Sequence, residues 1–417
     1  MKKNTLLLVS IFFLFTVSEA KAAQLYTVSA TLVSSGQTVN GSFNSAQDAV
    51  DYLNGTNLNQ AFGSNVDGQA INISVNYRGL PATLAYNSGN TLTLNIDGIV
   101  TNKTFTGSSR DAAVDALEDY LKASGGDILN QINKRLAAVS PVDPLAGNPT
   151  SLMSQMNDDD FELAFTDSLH DSTEVDKDGK KIGSEMGLGV QYQRYNLAGI
   201  NSTVYSFSPF SWRKNLGNSE TRLLLKIPAL RMVTTDNAKT YQASAAVGFY
   251  IPLYKTYWAI APIASIGAVG SEDLAAASAM HGFSLTNKLG FDHNGWGLHL
   301  GTLYGIYQTD KLQYNGYVSN PGIKNNILKN SVVVGVPIGI MGFGVDLSAT
   351  KTQFYGTDLY IENAMDYGVG FVKYSKVDNN KIRFDIKYFT YDAQSVATIG
   401  NGTKRITGVS ANLKFQY

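Results

Sequence analysis

The chain has 417 residues, a formal net charge of −1 and no cysteine. This length is enough for two domains, and the lack of cysteine excludes a disulfide framework, a lipid-anchored cysteine and a thiolate metal site. The near-neutral total hides an asymmetry: residues 24–160 carry 6 Lys and Arg against 13 Asp and Glu, whereas residues 186–417 carry 21 against 13. Either the two regions face each other, or each is solvated independently.

The N-terminus has the pattern of a secretory signal peptide. Lys2 and Lys3 precede an apolar run from Leu6 to Val17, and Ala20-Lys21-Ala22 supplies small residues at the cleavage spacing. We assign residues 1–22 to this peptide. The run is too short to cross a bilayer as a helix, and no later stretch of about 18 apolar residues follows it. A helical membrane protein is therefore not predicted.

Residues 23–139 are predicted to form a small, acidic, soluble α/β domain. Alternating segments predict strands at 26–33, 38–43, 71–77, 82–86, 91–96 and 99–105, and capping signals predict helices from Ser45 to near Gly55, from Ser108 or Ser109 to Leu121, and at 128–139. Asn40-Gly41-Ser42-Phe43 followed by DAVDYL resembles Asn102-Lys103-Thr104-Phe105 followed by DALEDYL. This similarity hints at a duplicated ββα unit, with convergence of ordinary strand–turn–helix sequences as the alternative.

Residues 140–185 are predicted to be a polar linker. Prolines mark its start between Pro141 and Pro149, and Asp158-Asp159-Asp160 is interpreted as a solvated run. The short alternation from Phe161 to Phe165 is a candidate extra strand.

Residues 186–417 are predicted to form twelve antiparallel strands of the length that a tilted membrane strand needs, ~9–11 residues or more. The predicted strands are 186–195, 203–213, 221–233, 240–252, 256–268, 279–291, 295–307, 328–338, 341–351, 365–375, 381–391 and 405–417. The second and fifth alternate poorly, so ten or fourteen strands remain alternatives. A soluble β-sandwich would also alternate, but it would not account for the signal peptide and the Gly and Tyr content as well.

The last strand carries the most specific signal. Its residues 409, 411, 413, 415 and 417 are apolar or aromatic and alternate with polar residues up to the terminal Tyr417. This pattern resembles the C-terminal strand of Gram-negative outer-membrane β-barrels, in which Leu413, Phe415 and Tyr417 would be the assembly signal. The resemblance implies export to the outer membrane, with outer-membrane lipid and the barrel-assembly machinery as partners. It also implies that the C-terminus is periplasmic.

A periplasmic C-terminus determines the side of every connection. Connections such as Leu253 to Lys255 and Asp292 to Asn294 are then periplasmic and short, whereas Gln308 to Ile327 and Thr352 to Ala364 are extracellular and long. This alternation is typical of outer-membrane barrels. Tyr254, Tyr257, Trp258 and Trp296 lie beside predicted periplasmic turns, where they would form part of an aromatic girdle.

Charged residues should face the lumen, because Lys or Arg on the lipid face costs about 2–4 kcal/mol at mid-membrane. The predicted lumen-facing residues are Arg222, Lys226, Lys288, His299, Asp346, Arg383, Asp385, Lys387 and Lys414. Their positive excess predicts a mild preference for small anionic or polar solutes. It also predicts that the acidic N-terminal domain docks on or inside the barrel, with Lys226 and Arg383 as its contacts.

Motifs for chemistry are few. Residues 174–185 have the spacing of a calcium loop, but Glu174 replaces the usual first Asp and a solvated Asp-Gly turn is the alternative. The four histidines are scattered and no Gly-x-Ser-x-Gly elbow occurs. No metal, cofactor or nucleic-acid partner is therefore predicted, and no enzymatic activity is favoured; a catalytic barrel with a Ser-His pair, as in some outer-membrane enzymes, is the alternative.

Three functions fit this organisation. The favoured one is an outer-membrane pore or transporter whose N-terminal domain is periplasmic or acts as a plug. The second follows from a resemblance in layout and strand number to autotransporters, whose passenger precedes a C-terminal barrel; residues 24–139 would then be displayed at the cell surface. Autotransporters thread a helix through the barrel before its first strand, whereas Asn148 to Glu185 is acidic and weakly helical. The third is a structural or adhesive protein that uses the long loops as its contact surface.

Overall fold

The structure is a computed structural model. It describes residues 25–416 except 88, 124–126, 167–168, 170–183, 198, 217–219, 255–256, 294–295, 315–316, 339–342, 375–380 and 394–404. The predicted signal peptide, most of the candidate calcium loop and Tyr417 lie outside the described residues. Among the helices that are described, none combines the length and the apolar character needed to cross a membrane.

The N-terminal domain is one antiparallel sheet with helices packed on one face. The strands are β1 (Tyr26–Leu32), β2 (Thr38–Phe43), β3 (Ile71–Tyr77), β4 (Leu80–Tyr86), β5 (Thr91–Ile96) and β6 (Val100–Thr106), in the order β2-β1-β3-β4-β5-β6. The helices are α1 (Ala46–Asp51), α2 (Gly55–Phe62), α3 (Arg110–Ala123) and α4 (Asp127–Val139). The α/β fold class is confirmed. Helix α2 was not predicted: Asn54 caps it by accepting a hydrogen bond from the Asn57 N–H (2.8 Å), so Gly55 begins a second helix, whereas α1 already ends at Asp51.

The two similar sequence segments make matching contacts in this domain. The rings of Phe43 and Tyr52 are 5.2 Å apart, and so are those of Phe105 and Tyr120. Each segment also has a serine that accepts a hydrogen bond of 3.1 Å from the first turn of its helix. These repeated contacts are those that a duplicated ββα unit would make, and the duplication remains a hypothesis.

The C-terminal region is a closed antiparallel barrel of twelve strands, as predicted. Its strands are β7 (Ser184–Leu197), β8 (Ile200–Asn215), β9 (Arg222–Thr235), β10 (Ala238–Tyr254), β11 (Trp258–Ser271), β12 (Ala276–His293), β13 (Trp296–Asp310), β16 (Lys324–Ile338), β17 (Phe343–Gly356), β18 (Ile361–Tyr374), β19 (Lys381–Ala393) and β20 (Arg405–Gln416). A small hairpin, β14 (Leu312–Tyr314) and β15 (Tyr317–Ser319), lies in the predicted loop 308–327. One further helix, α5 (Leu152–Ala164), precedes the barrel.

The strands that alternated poorly in sequence have physical reasons to do so. The pairing of β8 with β9 passes from Phe207–Leu230 to Phe210–Ile227, and both strands change the parity of their inward residues there. In β11 the inward residues include Ala259, Ala261 and Ile263, which are buried and apolar although they face the lumen.

The outer wall of the barrel is apolar. Large apolar side chains point outward and are exposed on most strands, among them Phe207, Leu230, Tyr241, Ile266, Phe283, Tyr304, Leu347, Phe371, Ile386 and Phe415. The four aromatic residues predicted for the girdle are also exposed. An apolar exterior around a polar interior is the arrangement that a bilayer requires of a barrel.

Candidate functional site in the barrel lumen

Helix α5 occupies the lumen of the barrel. It packs against β9 to β13, and its residues Leu152, Met156, Asp159 and Asp160 are each less than 9% exposed. The weakly helical linker expected for this part of the chain is therefore wrong. The Asp158–Asp160 run is not a solvated linker, and Phe161–Phe165 is not a strand, since this segment completes the helix and its C-terminal turn.

Residues 140–151 form a compact stopper between the N-terminal domain and the helix. Every residue of this stretch is buried, although it contains three prolines. Its turns are hydrogen-bonded internally: Asp143 accepts from the Leu145 N–H (2.8 Å), and Asn148 accepts from the Thr150 N–H (2.9 Å). Burial raises the pKa of Asp143 to about 6, although the buried guanidinium of Arg78 opposes this rise. The expected proline-rich linker is thus a structured element.

Asp159 is the centre of the charged contacts between the helix and the wall. Its carboxylate accepts hydrogen bonds from Lys226 Nζ (2.6 Å), from Arg231 and from Ser244 Oγ (2.7 Å). Lys226 and Arg231 are 5% and 4% exposed, so both bases are desolvated and Asp159 is a countercharge that they share.

The other helix acids make separate contacts. Glu162 pairs with Lys226 (3.2 Å) and Lys414 (3.4 Å). Asp158 pairs with Lys329, and the side chain of Asp158 is 44% exposed. Asp160 has no ion pair among the described residues; it accepts hydrogen bonds from Tyr307 OH (2.7 Å) and from Ser265 and Ser284, at 3.0 and 3.2 Å. The helix thus supplies negative charge to an otherwise basic wall.

Small residues in the wall make room for the helix. A Cβ at Gly267 would lie 2.7 Å from Met156 Sδ and 2.9 Å from Leu152 Cδ1, and a Cβ at Gly301 would lie 2.8 Å from the Phe165 ring. Further along, Leu163 and Ala164 pack with the apolar inward residues of β11, Ala259 and Ala261 among them. These contacts explain why inward residues of β11 are not polar.

The helix has a definite direction in the lumen. Gln242, near the start of β10, donates to the Thr150 carbonyl just before the helix (2.8 Å). Tyr250, near the end of β10, packs with Leu163 and Ala164 at the end of the helix. The helix therefore runs from the mouth where β10 begins towards the mouth where β7 begins.

The predicted lumen residues lie on the inward faces of their strands: Arg222, Lys226, Lys288, His299, Asp346, Arg383, Asp385, Lys387 and Lys414. Lys226 and Lys414 contact the helix. Arg383 pairs with carboxylates of the wall, Asp346 (2.9 Å) and Asp385 (2.8 Å), so its described ion pairs lie within the barrel. The expected role of Arg383 in docking stays a prediction. Leu413 and Phe415 of the predicted assembly signal lie on either side of the inward residue Lys414 in β20, so they belong to the opposite, outward face of that strand.

The sequence analysis missed important members of this site. Lys329 lies within the predicted strand 328–338 and could have been found by following the alternation of that strand, since a charged residue there should face the lumen. In β9 the inward residues have even numbers up to Lys226 and odd numbers from Ala229 onward, because the strand is irregular between them. Counting every second residue from Lys226 therefore does not reach Arg231. The helix acids carried no signal for burial, since a run of aspartates is ordinarily solvated.

The N-terminal domain covers the mouth where the helix enters. Tyr26 OH and the Ala46 N–H donate to the Asp273 carbonyl in the turn between β11 and β12, at 2.9 and 3.0 Å. The loop after β17 is joined to helix α4 by the Tyr360 N–H, which donates to the Ala137 carbonyl (2.8 Å), and the Ile361 N–H at the start of β18 donates to the Gly147 carbonyl of the stopper (3.1 Å). A single buried apolar core includes residues of the domain and of the barrel rim, such as Leu197 and Leu274. The domain therefore caps the lumen.

Comparisons with known proteins give weak similarities. No family model matches the chain, and no curated protein matches it. The translocator domain of autotransporter NalP from Neisseria meningitidis is 12% identical, with a TM-score of 0.43, over 64% of this chain and 95% of that one. The beta domain of the Bordetella autotransporter Brka is 12% identical, with a TM-score of 0.40, over 56% and 98%. The KdgM porin in complex with disordered oligogalacturonate is 9% identical, with a TM-score of 0.32, over 55% and 98%.

The class of the molecule is defined by its own barrel. A closed antiparallel barrel with an apolar exterior and a charged interior is the fold of outer-membrane β-barrels, which include pores and transporters. In this chain the lumen contains helix α5, which precedes the first barrel strand in the sequence.

Proposed function

We propose that this chain is an outer-membrane β-barrel of a Gram-negative bacterium that holds its N-terminal domain at the cell surface, in the manner of an autotransporter. The observation that carries the proposal is the path of residues 140–164. This segment leaves the capping domain, enters one mouth of the barrel and runs through the lumen towards the mouth where β7 begins. A chain that had passed outward through the barrel would have this path.

The side of the membrane follows from the C-terminal strand. If β20 ends in the periplasm, as in outer-membrane barrels, the capped mouth is extracellular. Between neighbouring barrel strands the longest intervals of sequence are 311–323 and 394–404, and the strand ends that they join lie at the capped mouth. Outer-membrane barrels carry their longer connections outside. A periplasmic plug, the function favoured by sequence, would require the opposite orientation. The direction of the helix therefore supports display.

Thiol labelling of intact cells tests this orientation. The chain has no cysteine, so one substitution gives one reactive site. Ser35→Cys places a thiol in the exposed turn between β1 and β2, and Glu220→Cys places one in the turn between β8 and β9 at the opposite mouth. A membrane-impermeant maleimide should label S35C on intact cells and should label E220C only after the outer membrane is permeabilised. The reverse pattern would place the domain in the periplasm and refute display.

A further inference from the structure

The two outer strands of the N-terminal sheet have free edges. In the described part of the chain, β2 pairs only with β1 and β6 pairs only with β5. A free edge exposes unpaired backbone N–H and C=O groups, which can pair with a strand from another chain. The two edges occupy equivalent places in the repeated segments, so each serves as a comparison for the other.

The β6 edge carries features that hinder pairing. Lys103 is exposed near its centre, and Asn102 has a φ of 49°, in the left-handed region. The pairing of β5 with β6 also shifts register between Leu94 and Ile96. A charged side chain and a local irregularity are common means of preventing association at a sheet edge. The β6 edge is therefore protected.

The β2 edge has none of these features. Gly41 stands where β6 has Lys103, and residues 38–43 include no charged residue and no proline. The pairing of β1 with β2 runs from Tyr26–Phe43 to Thr31–Thr38 without a shift. The side chains of Thr38, Asn40 and Ser42 are exposed. This edge is regular, uncharged and open.

The free backbone groups of β2 can be assigned. The Leu32 N–H donates to the Gln37 carbonyl (2.9 Å), which sets the phase of the ladder between β1 and β2. Hydrogen-bonded pairs alternate along an antiparallel ladder. Consequently Thr38, Asn40 and Ser42 direct their N–H and C=O groups away from β1.

We propose that β2 pairs antiparallel with β2 of a second copy of this chain, centred on Asn40. In this register Asn40 faces Asn40 and Thr38 faces Ser42, so each outward N–H and C=O meets a partner and on the order of six backbone hydrogen bonds form. Val39 faces Gly41, so the exposed side chains of the two β2 strands lie on one side of the joined sheet and the helices of both copies lie on the other side. No charged side chains of β2 meet across the twofold axis. This self-complementarity selects a second copy over an unrelated strand, and it does not depend on the side of the membrane.

Cysteine cross-linking of the full chain in detergent micelles tests the pairing. Facing Cα atoms of a hydrogen-bonded antiparallel pair lie ~5.5 Å apart, and disulfides span ~4.4–6.8 Å. Under mild oxidation N40C should therefore run mostly as a dimer on a non-reducing gel. N102C, the equivalent position on β6, should remain a monomer.

A proline variant separates pairing from folding. The Asn40 N–H points away from β1, so N40P removes an intermolecular hydrogen bond and leaves the ladder to β1 intact. By light scattering, the wild-type chain should have about twice the mass of N40P, with the same thermal unfolding of the domain. Equal cross-linking of N40C and N102C, a disulfide to another protein, or a dimeric N40P would each overturn the proposal.

Discussion

At the scale of residues, the lumen combines one strongly buried carboxylate with a neighbour that is half exposed. Asp159 is the countercharge of Lys226 and Arg231, and its side chain is 9% exposed, whereas that of Asp158 is 44% exposed. Removing one member of a buried pair leaves an uncompensated charge and costs about 3–5 kcal/mol. Lys329, the partner of Asp158, is itself buried at 4% exposed, but water screens the half-exposed carboxylate of Asp158 and Asp366 lies near enough to Lys329 to interact with its charge. Losing Asp158 should therefore cost less, nearer the value of about 0–1 kcal/mol for an exposed pair. Two adjacent aspartates should therefore differ greatly in their effect on helix docking.

Asp159→Asn should loosen the helix, and Asp158→Asn should not. A reporter is available in Asn157→Cys, because Asn157 is buried and its amide faces Tyr307 of the wall, so the thiol is reached when the helix leaves the wall. With about 1.4 kcal/mol per tenfold change, D159N should speed maleimide labelling of this thiol by roughly two orders of magnitude. D158N should change the rate by less than about fivefold. Equal rates in the two variants would contradict the central role of Asp159.

At the scale of elements, the docking of α5 depends on space provided by glycines of the wall. Gly267 faces Met156 and Leu152, whereas a Cβ at Gly270, three residues along the same strand, would meet nothing within 4 Å. Gly267→Val should therefore displace the helix at a cost of about 1–3 kcal/mol, because an added side chain overfills a packed site. Gly270→Val is the matched control and should leave the helix in place. The thiol-labelling rate of N157C measures both, and a G267V rate equal to that of G270V would show that the helix does not pack there.

The same element shows where sequence analysis succeeded and where it could not. Each barrel strand has its own alternating pattern, set by lipid on one side and the lumen on the other, so the twelve strands could be predicted. Helix α5 is polar on a face that is buried against Lys226 and Arg231. Its burial depends on bases more than sixty residues away, and no local pattern contains that information. The prolines between 141 and 149 likewise indicate turns, but not whether those turns are exposed.

At the scale of the whole molecule, the asymmetry of charge noted in the sequence becomes a contact. The acids of the helix, rather than those of the capping domain, face the basic wall. The domain instead holds the rim through a shared apolar core and backbone hydrogen bonds. Capping and filling are thus two separate interactions, and each can be removed alone.

This separation predicts how conductance depends on the helix. The intact chain should conduct weakly in a planar bilayer, because the stopper and helix occupy the lumen.

Deleting residues 25–169 should open the barrel and leave Lys226, Arg231, Lys329 and Lys414 without the carboxylates that pair with them. Their uncompensated charge should make the open pore prefer anions, seen as the sign of the reversal potential in a KCl gradient. Replacing Lys226, Arg231 and Lys329 by Gln in the same deletion should reduce that preference at similar conductance. A cation-preferring open barrel would contradict the assignment of these bases to the lumen, and an intact chain that conducts as well as the deletion would contradict the filling of the lumen by α5.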